Sequence, residues 1–386
     1  MNKAISAFLS ERIEANDFPS AVYLVAEKGE IVYQDALGYA VVEPERIEAK
    51  LDTIYDLASL TKPLVTGLLT AQMIEDGGIG LDDAIRPYYP VKECGQDFDL
   101  TVRQLATHTS GLPAWLPLYL QARSRVSVPL LICGLQRQSA PDTEVIYSDL
   151  NFLTLQFVIE GNSVDQCAGS DIIDELGLER TTFNPTTNSW IRKLDRREIA
   201  ATERGNEYEK QTCIEMGYLS PESVGLEKNP VAIAPGSDMF RKHIIWGEVH
   251  DGNAYFMGGA AGHAGLFSTA EEVFKIALQF LPQHTKLLKP ETCELFRINF
   301  TKGLNEDRSF AFQLASTKDS TAGTKMSPES FGHNGFTGTS LWIDPVKDRI
   351  FVLLTNRTHN HPLPFVNINS VRRRFHDLAI EALDSR

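Results

Sequence analysis

Apolar residues recur at Leu60, Leu64, Leu68, Leu69, Met73 and Ile74, the three-to-four-residue spacing that turns one face of a helix toward a core. The run stops at Gly77-Gly78, where a helix takes its C-terminal cap. Pro63 lacks an N–H and fits only a first turn, so this helix begins beside Ser59. Amphipathic stretches over about residues 3–16 and 366–382 predict helices near the two ends of the chain. Residues 21–25 and 31–33 read as strands joined by a turn at 27–30. Residues 340–343 and 350–354 read as strands flanking a turn at 344–348. Strands at both ends and few between predict an α/β (α+β) fold: one antiparallel sheet, built from both chain ends and flanked by helices, plus a mostly helical lobe. The expected division is 1–80 with 240–386 in the sheet lobe and 81–239 in the helical lobe, with a site in the cleft between them.

A chain of 386 residues buries a large core and has room for two lobes. The net charge of −14 argues against nucleic acid and anionic membranes as partners. Cys94, Cys133, Cys167, Cys213 and Cys293 are odd in number and form no CxxC, so neither a disulfide framework nor a zinc site is indicated. Free thiols in a reducing compartment are the simpler reading. No apolar run approaches the ~18 residues of a membrane helix. Met1-Asn2-Lys3 leads into an amphipathic stretch, which does not read as a leader. The expected location is cytoplasmic, or periplasmic or secreted if a leader has been removed. Arg372-Arg373-Arg374 reads as a solvated face of the last helix.

Ser59-Leu60-Thr61-Lys62 sets a hydroxyl and an amine three residues apart, on one helix face. At average usage that spacing arises by chance roughly once or twice in a chain this long. Its apolar context, residues 54–58 before and the helix after, carries the functional reading. Burial and the positive helix end would lower a lysine from its usual ~10.4, leaving a neutral amine as base for Ser59. The same helix end offers N–H groups to an oxyanion. Tyr147-Ser148-Asp149 lies where a loop enters an apolar helix, a place that also suits a core tyrosine. Residues 331–340 open a strand whose glycines let a ligand approach the backbone.

Taken together, Ser59-x-x-Lys62, Tyr147-x-Asp149 and His333-Asn334-Gly335 resemble, in order and separation, the three active-site elements of the class C beta-lactamase superfamily. That superfamily includes D-alanyl-D-alanine carboxypeptidases and family VIII esterases. Residues 101–112 and 258–269 extend the resemblance. It implies a beta-lactamase/transpeptidase-like fold, acylation of Ser59, Lys62 as base or relay and Tyr147 as second acid/base. A phenol titrates near ~10, so that last role calls for cations close by. The resemblance further implies that Asp149, His333, Asn334, Gly335 and Phe336 line the substrate, and that the backbone N–H groups of Ser59 and Phe336 form the oxyanion hole. Two departures, His333 for a lysine and Asp149 for an asparagine, reduce positive potential in the cleft. They point away from carboxylate-bearing beta-lactams and toward a small ester or neutral amide. A true beta-lactamase, a D-amino-acid or muropeptide amidase or carboxypeptidase, and a non-enzymatic module binding cell-wall fragments are the alternatives.

No Gly-x-Ser-x-Gly and no His-Glu-x-x-His occurs. His250, Asp251 and His263, and His359 with His361, stand in loop-like sequence without helix-tied ligand spacing, so no metal and no cofactor is expected. His108 and Ser110 read as structural, closing the turn after a helix over 101–107. His263, flanked by glycines, either tolerates a tight loop or lines the pocket. The pocket walls are expected from the long loops 113–140 and 185–235.

Overall fold

The computed structural model describes the chain apart from residues 93, 96–97, 160–162, 188–193 and 220–239. The expected wall loop 185–235 therefore falls partly outside the described residues. Ten strands are defined: β1 (Ser20–Glu27), β2 (Glu30–Val41), β3 (Ile47–Glu48), β4 (Tyr55–Asp56), β5 (Thr182–Phe183), β6 (Leu266–Ser268), β7 (Gln313–Leu314), β8 (Phe331–Asn334), β9 (Ser340–Asp344) and β10 (Arg349–Thr355). Seven form one antiparallel sheet in the order β3-β2-β1-β10-β9-β8-β7. The chain ends meet where β1 pairs with β10, Ala21 opposite Thr355 and Val25 opposite Phe351.

Alternation explains why the middle of this sheet reads as continuously apolar. Val22, Leu24 and Ala26 of β1, with Ile350, Val352 and Leu354 of β10, enter the main core. Ala21, Tyr23 and Val25, with Phe351 and Leu353, face a second core made with Ile5, Leu9, Phe375 and Ala379 of the terminal helices. Both faces are covered, so the polar residues of these two strands, Ser20, Glu27, Arg349 and Thr355, stand at their ends. The first helix, Lys3–Glu14, starts where the Asn2 side chain accepts the Ala4 and Ile5 N–H groups. The last spans Asn369–Asp384, opening three residues later than periodicity suggests because the Asn367 side chain takes the Asn369 N–H.

A three-stranded sheet, β4-β6-β5, ties the approach to Ser59 to residues 182–183 and 266–268. The helix expected after Ser59 is not uniform. A tight turn, Ala58–Leu60, leads into wide turns with π-type spacing at Lys62–Gly67, and a regular helix follows at Leu68–Glu75. Pro63 stands at the start of the wide segment, where it withholds a donor. Helix Asp149–Ile159 is buried from Leu150 to Val158, and its interior polar residues Asn151, Thr154 and Gln156 are hydrogen-bonded. Cys94, Cys133, Cys213 and Cys293 are free thiols. Among the described residues no helix is long and apolar enough to cross a membrane.

Candidate active site

Ser59 stands on the tight turn that joins β4 to the wide helix. Ala58 before it adopts φ +48°, a left-handed conformation that a non-glycine residue takes only when held. The hold is Asp56, whose Oδ1 accepts the Ala58 N–H at 2.9 Å while its Oδ2 accepts the His250 N–H at 2.7 Å. Thr61 closes the other side, donating to the Ala58 carbonyl at 2.7 Å and accepting the Leu266 N–H at 3.1 Å.

Lys62 is fully buried. Its three ammonium protons have three acceptors: Ser59 Oγ at 2.8 Å, the His263 carbonyl at 3.2 Å and Asp149 Oδ1 at 2.7 Å. Burial pulls the lysine pKa down, but the charges of Asp149 and Tyr147 and their hydrogen bonds outweigh it and hold the value above the ordinary one. The expectation of a neutral amine is therefore corrected: with Asp149 in place, Lys62 rests as a cation.

Tyr147 is bracketed on every side. Its ring centroid lies 4.6 Å from that of His108 and 5.7 Å from that of His333. Lys62 Nζ stands 5.0 Å from it and the Arg308 guanidinium carbon 5.3 Å. His108, at φ +60°, fixes the chain on both sides of the tyrosine: its carbonyl accepts the Ile146 N–H at 2.9 Å and its Nδ1 the Ser148 N–H at 3.0 Å. Ser110 donates to Asn151 Oδ1 at 2.6 Å, and Asn151 reaches the same His108 nitrogen. Both residues are structural, as expected, and what they shape is the seat of Tyr147.

His333 lies in β8, 5% exposed, with its Nδ1–H donated to the Asn334 carbonyl at 2.9 Å. Burial first, then Lys62 and Arg308, hold its pKa well below the usual histidine range. An ordinary histidine titrates at ~6.5; the surroundings of this ring keep it neutral. Asn334 turns to Thr321, donating to its hydroxyl at 3.0 Å. Gly335 is tightly enclosed, since a Cβ there would stand 2.5 Å from the Leu57 carbonyl oxygen. Phe336 packs on Tyr208, His250 and Arg357, with centroid distances of 4.8, 5.5 and 4.8 Å.

Ser59, Tyr147, Asp149, His333, Asn334, Gly335 and Phe336 line one cleft of about 670 Å³, together with residues that sequence reasoning missed: Glu209, Glu306, Arg308, Arg357 and Arg372. Arg372 corrects the solvated-face reading of the arginine run: it is buried, and its Nη2 donates to the Gly335 and Thr339 carbonyls at 2.9 and 3.0 Å. The missed signal is its place three and four residues before Phe375 and His376, on the inward face of the helix. His263 is buried with its Nε2 2.9 Å from Asp251 Oδ1. Burial raises the Asp251 carboxyl, but the charge and hydrogen bond of His263 outweigh that and hold it below the ordinary range. Ligand atoms of Asp149, Asp251 and His263 lie within 4.8 Å of one another, the spacing of a three-ligand cation site. Lys62 already supplies positive charge there. His359 is engaged elsewhere, between the Thr202 carbonyl and the Val42 N–H.

Residues 5–372 match the Beta-lactamase family. A protein of Escherichia coli (strain K12) described as "Putative D-alanyl-D-alanine carboxypeptidase" is 29% identical, over 92% of this chain and 81% of its own length. Two solved structures share the fold. EstCE1, described as a hydrolase with promiscuous acyltransferase activity, superposes with a TM-score of 0.70 at 19% identity, covering 97% of both chains. An octameric penicillin-binding protein homologue from Pyrococcus abyssi gives a TM-score of 0.69 at 18% identity, covering 98% of this chain and 77% of that one.

Proposed function

Since the chain belongs to the beta-lactamase family, we propose that it is a serine hydrolase that forms an acyl-enzyme on Ser59. The observation that carries the reading is the fully buried Lys62 ammonium, 2.8 Å from Ser59 Oγ and beside Tyr147 in a cleft open to small molecules. A lysine that rests charged is not a standing base. It must first pass a proton on, to the Asp149 carboxylate at 2.7 Å, before it takes one from Ser59, which makes it a relay. As that proton leaves, Ser59 Oγ bonds the acyl carbon. The bond to the leaving alcohol or amine breaks as Tyr147 hands over a proton. Water gives a proton back to Tyr147 as it attacks the acyl carbon, Lys62 returns the Ser59 proton and regains its own from Asp149, and the acid leaves. The N–H groups of Ser59 and Phe336 are proposed to hold the oxyanion, and Asp149, His333, Asn334 and Gly335 to border the substrate. The cleft is proposed to divide a sheet lobe, 1–80 with 240–386, from a helical lobe, 81–239.

A small ester or amide is the proposed substrate class. One observation favours a second reading, a peptide with a terminal carboxylate. Arg357 and Arg372 line the Phe336 side of the cleft, and their hydrogen bonds among the described residues go to backbone carbonyls and Asn369 rather than to a carboxylate. The test pairs a short-chain p-nitrophenyl ester with a tripeptide ending in D-Ala-D-Ala, each with wild type and Ser59→Ala. Turnover of either substrate that vanishes in Ser59→Ala supports the hydrolase, and their kcat/KM ratio chooses the class. Wild-type turnover in Ser59→Ala refutes the mechanism.

A further inference from the structure

We propose that Arg308 is a positioning residue for Tyr147, supplying the permanent cation that the His333-Asn334-Gly335 triplet does not carry. The inference rests on the Ser59–Lys62–Tyr147 reading above. His333 is enclosed and neutral, so no charge reaches the tyrosine from the triplet itself. Arg308 comes from a different segment and reaches the same place. Its backbone is fixed between residues 300 and 313: its N–H donates to Thr301 Oγ1 at 2.7 Å, its carbonyl accepts the Phe300 N–H at 2.9 Å, and it bridges to Gln313 beside β7. From there the side chain runs inward to the Tyr147 ring.

The guanidinium is bonded in a way that a structural ion pair does not explain. Its side chain is about 5% exposed, and among the described residues only Nη2 has a partner, Glu306 Oε1 at 2.8 Å. Nε and Nη1 are buried without an acceptor among those residues. Burying a cation with silent donors is costly, and a fold that needed only the Glu306 pair would keep that pair at the surface. What the buried position provides is proximity. The guanidinium carbon stands 5.3 Å from the tyrosine centroid, and Lys62 Nζ stands 5.0 Å from it. Both lie within the range at which a cation and a ring attract.

The charged and titratable groups placed around the ring are two cations, Lys62 and Arg308, their carboxylate partners Asp149 and Glu306, and two imidazoles, His108 and His333, that burial keeps neutral. Lys62 must give up its proton during the relay. Arg308 never does, so the tyrosine keeps one fixed positive neighbour throughout the cycle. Arg308 does not touch the reacting atoms and acts only through the phenol.

The test measures the rate at which a fluorophosphonate probe labels Ser59, read by intact mass, in wild type, Ser59→Ala, Arg308→Met, Arg308→Lys and Glu306→Gln, with thermal unfolding of each. Arg308→Met should label at least tenfold more slowly, and millimolar guanidinium should restore part of that rate. Arg308→Lys should retain more of it than Arg308→Met. The discriminating variant is Glu306→Gln, which breaks the ion pair but leaves the cation, and which should label at least as fast as wild type. Were Arg308 only a structural partner of Glu306, the two disruptions would slow labelling alike; that result, or unchanged labelling in Arg308→Met, overturns the proposal. If Arg308→Met does not fold, the comparison of Arg308→Lys with Glu306→Gln decides it. Labelling that persists in Ser59→Ala, or wild type that takes no label, overturns the underlying reading instead.

Discussion

Glu209→Gln tests the electrostatics of the cleft wall without touching the proposed acyl transfer. Glu209 is 7% exposed; its Oε1 accepts the Gly252 N–H at 2.7 Å and its Oε2 the Tyr119 hydroxyl at 2.9 Å. Burial first, then the neighbouring Asp251 carboxylate, push its carboxyl up from 4.5 to about 7. The folded chain therefore holds this proton more tightly than the unfolded chain. The stability tied to it is fully present below pH 4.5 and is lost as pH rises through about 7. At about 1.36 kcal/mol per pKa unit, the loss by pH 8 is about 3 kcal/mol. Glutamine mimics the protonated acid: its carbonyl takes the Gly252 N–H, and its amide faces the Tyr119 oxygen, whose hydroxyl then turns to Cys213 Sγ at 3.6 Å. Glu209→Gln should match wild type within about 1 kcal/mol near pH 4.5 and exceed it by roughly 2–3 kcal/mol at pH 8. Urea denaturation of both proteins at the two pH values measures the difference, and titration common to both cancels. A difference that stays constant between the two pH values refutes the buried, proton-binding role.

Tyr147→Phe keeps the ring between its four neighbours and removes only the hydroxyl, so kcat on a p-nitrophenyl ester should fall by about 10²–10⁴ with unfolding unchanged; a loss under about tenfold returns the residue to the core. Burial keeps His333 neutral, so the ratio of nitrocefin to neutral-ester kcat/KM should stay flat between pH 6 and 8, and a ratio that climbs as pH falls would show a titrating ring. His333→Lys places a second ammonium beside Lys62 and Arg308, and should lower the melting temperature while improving nitrocefin kcat/KM by less than about threefold, a gain worth under 1 kcal/mol. Gly335→Ala drives a Cβ toward the Leu57 carbonyl and should cost roughly 1–3 kcal/mol in denaturant unfolding; a cost under about 0.5 kcal/mol would mean that the β8–β9 turn yields.

What was legible in the sequence follows from where the information is local. Central strands covered on both faces announce themselves as apolar runs, and the pairing of chain ends follows from having strands at both ends. β3, β5 and β7 are two residues long, too short for a period of two to register. Ser59, Lys62 and Tyr147 were legible because spacing and helix position are properties of neighbours along the chain. Charge state is not such a property. Asp149, read by itself, subtracts positive potential from the cleft. Placed 2.7 Å from an amine 87 positions earlier, it holds that amine as a cation, the charge state from which the proposed relay starts. The same holds for the missing cation of the His333 triplet. Its replacement lies on another segment, and only folding shows that Arg308, Arg357 and Arg372 converge on one cleft. A motif of this kind specifies which groups gather. The protons they carry are set by contacts between distant segments, so the substrate preference drawn from two motif departures has to be tested against the charges that the whole cleft assembles.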